Sequence, residues 1–153
     1  MDDPFAPLSV FIGKTWRGEL ASENPEKPDI DISCYERALN GKIVRNLHSV
    51  NEGEYGGETI IIWDAEVGAL RYFYFTTAGF FTQGTMSFEG ERMISSEKVT
   101  GNVNGITEVR AVSEIKVDGR LYVRAEYLQR GTWVPGHTAV YQEAAGEQVR
   151  FKD

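Results

Sequence analysis

His137 is the side chain of this sequence best equipped for chemistry. An imidazole near neutral pH can take or give a proton, bond a ligand or hold a metal. It stands in the run Gly131-Thr132-Trp133-Val134-Pro135-Gly136-His137, with Tyr141 following. Glu97 is the natural partner. A carboxyl buried in an apolar space has its pKa raised, and a nearby His137 or Arg45 would restore its charge. A buried acid beside an imidazole is what an isomerase or cyclase working by proton transfer requires. Arg45 offers a planar fork that suits a ligand carboxylate, unless Glu36 already neutralises it. Each residue also has a plain structural reading. His137 can be a core histidine satisfied by Tyr141, Ser113 or water, and Glu97 can face solvent after a strand slip. Tyr72, Tyr74, Tyr127 and Tyr141, with Trp133, read either as core or as the wall of a pocket carrying hydroxyls. Cys34 reads as a small buried residue rather than a nucleophile.

These groups act together only if the backbone turns them toward one space. Glycine-marked turns recur every eight to twelve residues or so: Asn40-Gly41, Gly56-Gly57, Val67-Gly68, Ala78-Gly79, Glu89-Gly90, Asn104-Gly105, Asp118-Gly119 and Arg130-Gly131. That spacing marks an all-β sandwich or barrel. The β-rich segments between them predict about ten strands, at 15–21, 32–38, 42–50, 59–63, 70–76, 80–88, 93–100, 107–116, 121–128 and 133–142. Tight turns favour pairing between sequence neighbours. Closing such a meander removes its exposed edges, so the expected fold is an up-and-down antiparallel β-barrel in one domain covering 1–153. A short apolar helix is expected at 4–12, and a polar, proline-bearing loop at 22–29.

Counting across the turns gives a register. A three-residue hairpin at Val117-Asp118-Gly119 pairs Ile115 with Leu121, Ser113 with Val123, Ala111 with Ala125 and Val109 with Tyr127. This face is apolar and should point inward, while Arg110, Glu114, Arg124 and Glu126 face water. Carried over Arg130-Gly131, the count sets Trp133, His137, Ala139 and Tyr141 inside. Carried back over Asn104-Gly105, it pairs Val99 with Val109 and Glu97 with Ala111, turning Glu97 inward with Met93 and Ser95. Asn40-Gly41 pairs Ala38 with Ile43, Glu36 with Arg45 and Cys34 with Leu47. That face has the greater apolar count and is expected inside; the alternative turns Tyr35, Asn46 and His48 inward. The hairpin at Ala78-Gly79 is aromatic on both faces and stays undecided between Leu70, Tyr72, Tyr74, Phe80 and Thr82 on one side and Phe73, Phe75 and Phe81 on the other.

Composition narrows the partners. At 153 residues the chain can build one substantial core. Its 12% aromatic content supplies the apolar surface for it. The net charge of -7 disfavours nucleic acid and anionic membranes. One cysteine allows no intrachain disulfide, and two histidines do not by themselves build a metal centre. The start of the chain shows neither the basic segment nor the apolar run of a signal peptide, so a cytoplasmic location is expected, although a trimmed secreted form would read the same. Nothing here chooses between a monomer and a homodimer. No P-loop, dinucleotide fingerprint or Gly-x-Ser-x-Gly elbow occurs.

Gly13-Lys14-Thr15-Trp16-Arg17-Gly18 resembles the Gly-x-Trp motif that opens the first strand of lipocalins and their relatives. The segment from Gly131 to His137, followed by Tyr141, is similar to the end of a bacterial family of lipocalin-like barrels, the DUF1579-like group of the calycin superfamily. The stretches Leu39-Asn40-Gly41-Lys42 and Phe75-Thr76-Thr77-Ala78-Gly79 resemble that family too. The resemblance implies a barrel with a central cavity, no assigned reaction, and a structural Trp16 at the closed end. Nitrobindin-like haem proteins share a similar Trp-Arg-Gly opening and a late histidine that ligates iron, which would make His137 a haem ligand. The leading expectation is a cofactor-free container for a small hydrophobic or amphipathic molecule, touched by Arg45, Tyr72, Tyr74, Glu97, Tyr127, Trp133, His137 and Tyr141. The alternatives are an isomerase or cyclase using His137 and Glu97, and haem binding through His137.

Overall fold

The computed structural model describes residues 2–99 and 103–152. Ten strands are present among them: β1 Thr15–Leu20, β2 Asp29–Ala38, β3 Ile43–Val50, β4 Tyr55–Asp64, β5 Ala69–Thr76, β6 Phe81–Glu89, β7 Arg92–Lys98, β8 Ile106–Ile115, β9 Leu121–Gln129 and β10 Thr132–Glu143. Each pairs antiparallel with its neighbours in sequence, and β1 pairs with β10, closing an up-and-down barrel. The predicted end of the seventh strand at Thr100 lies outside the described residues. No helix among the described residues is long and apolar enough to cross a membrane, which says nothing of a strand barrel.

The expected N-terminal helix is a single 3-10 turn at Ala6–Leu8. Two prolines in this stretch remove backbone donors, so a longer helix has nothing to propagate it. The segment instead works as a plug. Phe5, Leu8 and Phe11 are buried with Trp16, Val44, Ile61, Leu70, Met86, Met93 and Leu121 in one apolar cluster. An ion pair between Asp3 and Arg37, and the Gly13 N–H donated to the Tyr35 carbonyl, fasten the plug to β2. Trp16 is 1% exposed.

The turns set the register. At Val117-Asp118-Gly119, glycine takes φ +79° and the expected pairs form, from Ile115 with Leu121 to Val109 with Tyr127. At the end of β7, Glu97 pairs with Val109 rather than Ala111. The slip is two residues, so alternation still turns Glu97 inward. The 70–88 hairpin is resolved: Tyr72, Tyr74, Thr82 and Met86 line the interior, and Phe75 and Phe81 lie on the outside.

Two parts of the expected register are overturned. Arg130 adopts φ +49° before Gly131, so this turn has two residues and pairs Gln129 with Thr132. The one-residue difference turns Trp133 outward, where the Arg110 guanidinium lies over its ring at 4.6 Å. Pro135 has no N–H for the ladder, and a bulge follows between Pro135 and Thr138. That extra residue restores the parity, so Ala139 and Tyr141 face inward while His137 sits in the bulge, exposed.

The second correction concerns β2 and β3. The pairs Glu36–Arg45 and Cys34–Leu47 form as counted, but on the outside. Tyr35, Asn46 and His48 face in. The apolar count misleads because the inward face lines a cavity and is polar. On the outer side the Arg150 N–H bonds the buried Ser49 hydroxyl, Phe151 lies against Gly56, and Ile32, paired with Ser49, is buried.

Candidate functional site

Above the plug the barrel interior holds an open cavity of about 300 Å³. Its floor is apolar: Ile61, Met86, Met93 and Leu121 belong both to its lining and to the plugged cluster. The rest of the wall is polar, and that follows from one recurring arrangement. Glycine in a strand interior marks a close approach. Here three inward glycines let a tyrosine from one neighbouring strand lie flat and reach a polar residue on the other. Gly18 is paired with both Tyr141 and Asp31. A methyl group on it would stand 2.5 Å from the Tyr141 ring. Gly57, paired with His48, sits the same way under Tyr74, and Gly84, paired with Glu97, under Tyr72.

The tyrosines thereby complete a hydrogen-bonded chain. Tyr141 donates its hydroxyl to Asp31 Oδ2 at 2.7 Å. His48 Nδ1 lies 2.9 Å from Asp31 Oδ1, and His48 Nε2 lies 2.6 Å from the Tyr74 hydroxyl. A carboxylate only accepts, so Nδ1 donates to Asp31, which is 5% exposed. The Tyr55 and Tyr74 hydroxyls lie 3.2 Å apart and are hydrogen-bonded to each other.

The phenols stay protonated over the working range. Burial, and then the charge of Asp31, pushes Tyr35 up to about 12. Burial likewise raises Tyr141, with Asp31 reinforcing it, and Tyr74, with Tyr55 next in effect. Tyr72 is raised by burial and then by Glu97, to which its hydroxyl donates at 3.4 Å.

Of the residues expected at a site, Tyr72, Tyr74, Glu97 and Tyr141 line this cavity. Arg45, Tyr127, Trp133 and His137 do not. Arg45 is on the outer face, 3.2 Å from Glu36 and with Nε 2.8 Å from Glu58. Tyr127 lies over Gly136 and its hydroxyl meets His137 Nδ1 at 2.8 Å. His137 and Glu97 therefore share no cavity position, and the acid–base pair built on them falls. So does His137 as an iron ligand inside the barrel. Cys34 is half-buried on the outer face, and burial pushes its thiol pKa up.

Compared with known proteins, the chain matches no family model and no curated sequence. Among the described residues no group of three or more His, Cys, Asp or Glu side chains is placed to hold a metal ion. Asp31 was not singled out by sequence, and His48 entered only with the alternative face of β3. The available signal was an inward glycine in register with a tyrosine on one side and a polar residue on the other, as at Gly18 and Gly84.

The Gly18 contact gives a direct test. Gly18→Ala should cost about 1–3 kcal/mol, as overpacking does in a fitted interior. Urea unfolding should show this loss in the otherwise native chain. In a Tyr141→Leu background the same substitution should cost much less, because the ring it strikes is gone.

Proposed function

We propose that the protein binds a small amphipathic molecule inside its barrel, as lipocalin-like proteins of the calycin kind do. The observation that carries this reading is an open cavity of about 300 Å³ inside the barrel, apolar at its floor and mostly polar along its wall. That volume is at the lower end of small-molecule sites, which run from about 300 to 1,000 Å³. Catalysis by an imidazole is the weaker reading, because both nitrogens of His48 are already engaged by Asp31 and Tyr74. A closed meander of ten strands with Trp16 in the plugged end supports the lipocalin-like kinship.

Native mass spectrometry of the protein purified from its own host is the test. The expected result is a bound mass that survives gentle ionisation and is released on denaturation. It should be lost in Val123→Trp, which fills the cavity wall. A bound mass that Val123→Trp retains would place the ligand elsewhere and overturn the reading.

A further inference from the structure

The charges of the cavity are one-sided, and they specify what class of ligand it takes. Asp31 and Glu97 are its acids and His48 its only base; its lining holds no lysine or arginine. The two carboxylates differ in what they have left to offer. Asp31 accepts from His48 on one oxygen and from Tyr141 on the other, so it is already provided for. Glu97 receives one long bond from Tyr72, at 3.4 Å on Oε2. Among the described residues it has no ion-pair partner, and its Oε1 accepts no hydrogen bond. A carboxylate has room for about four hydrogen bonds. Glu97 thus brings unused acceptor capacity and a negative charge into a space walled by Tyr72, Tyr74 and Tyr141.

We propose, resting on the binding reading above, that the cavity selects a protonated amine on a small apolar body, with Glu97 as the partner of the ammonium group. Tyrosine ring faces add to the attraction of a cation. An anionic ligand, such as a fatty acid, would meet two carboxylates and no lysine or arginine, since Arg45 is outside and paired and His48 is already held by Asp31. The plugged floor takes the apolar body, and the ammonium donors replace the solvation that Glu97 loses inside the barrel.

Three probes of equal body separate the possibilities: 4-phenylbutylamine, 4-phenylbutanol and 4-phenylbutyrate, titrated into the full chain by isothermal calorimetry at one ionic strength. The amine should bind about ten- to a hundredfold more tightly than the butyrate, the range of a charge-assisted hydrogen bond. Glu97→Gln keeps the shape, and should bring the amine down to the affinity of the alcohol while leaving alcohol binding intact. Tyr72→Phe keeps the carboxylate, and should keep the preference for the amine. If all three probes bind alike, or if the amine preference survives Glu97→Gln, the charge assignment is overturned and the cavity reading stands. If none binds and the protein from its host carries no bound mass, the cavity reading itself fails. Alcohol binding by Glu97→Gln also reports that the variant is folded.

Discussion

Phe11→Ala is expected to cost about 3–5 kcal/mol, the range for truncating a buried phenylalanine. Phe11 is 1% exposed, and its ring lies 5.3 Å from that of Tyr35. It comes from outside the barrel strands, yet it packs in the cluster that supplies the cavity floor. The loss is therefore double. A void opens in the plug, and Tyr35 loses the ring it packs against. For a domain of this length the melting midpoint should fall by roughly 10 °C. Differential scanning calorimetry measures it. A shift of only a degree or two would mean that the segment is an appendage and the barrel seals itself.

The second large effect is expected at Asp31. Asp31→Ala removes the acceptor of both Tyr141 and His48 Nδ1–H, leaving two donors without partners in a buried site. Each such group costs about 1–3 kcal/mol, so the total should be about 2–6 kcal/mol. Tyr141→Phe deletes one donor and leaves the carboxylate bonded to His48, so it should cost only about 1 kcal/mol. Chemical denaturation of the two variants gives the comparison. Nitrogen-15 spectra of His48 add a reading that stability does not. In the native chain the proton should be on Nδ1, and in Asp31→Ala it should redistribute toward Nε2. Equal losses in the two variants, with the tautomer unchanged, would remove Asp31 from the centre of the network.

The tyrosines explain why the polar wall was hard to see from local pattern. Alternation assigns a face by asking which side is more apolar. That question succeeds on β8 and β9, where Val109, Ala111, Val123 and Ala125 oppose charged neighbours. It fails on β2 and β3, where the inward face is Asp31, Ser33, Tyr35, Asn46 and His48 because it lines a cavity rather than a filled core. On the outer face there, the C-terminal tail lies against Ser49 and Gly56.

Spacing of the glycine turns was sufficient to determine a barrel of about ten strands, since a tight turn allows only neighbour pairing, although the expected turn at Gly56-Gly57 lies inside β4 and the chain turns instead at Asn51–Gly53. It was sufficient also for the inward placing of Glu97, because its slip of two residues conserves the face. The positions of His137 and Arg45 needed the tertiary structure. His137 depends on whether Arg130 takes a positive φ and on a bulge after Pro135, each of which moves the register by one residue. Arg45 depends on which face of β2 and β3 lines the cavity, and the inward face there is the polar one. Local alternation repeats every two residues, so a single-residue change made by a turn or a bulge reverses which side of the wall a side chain occupies.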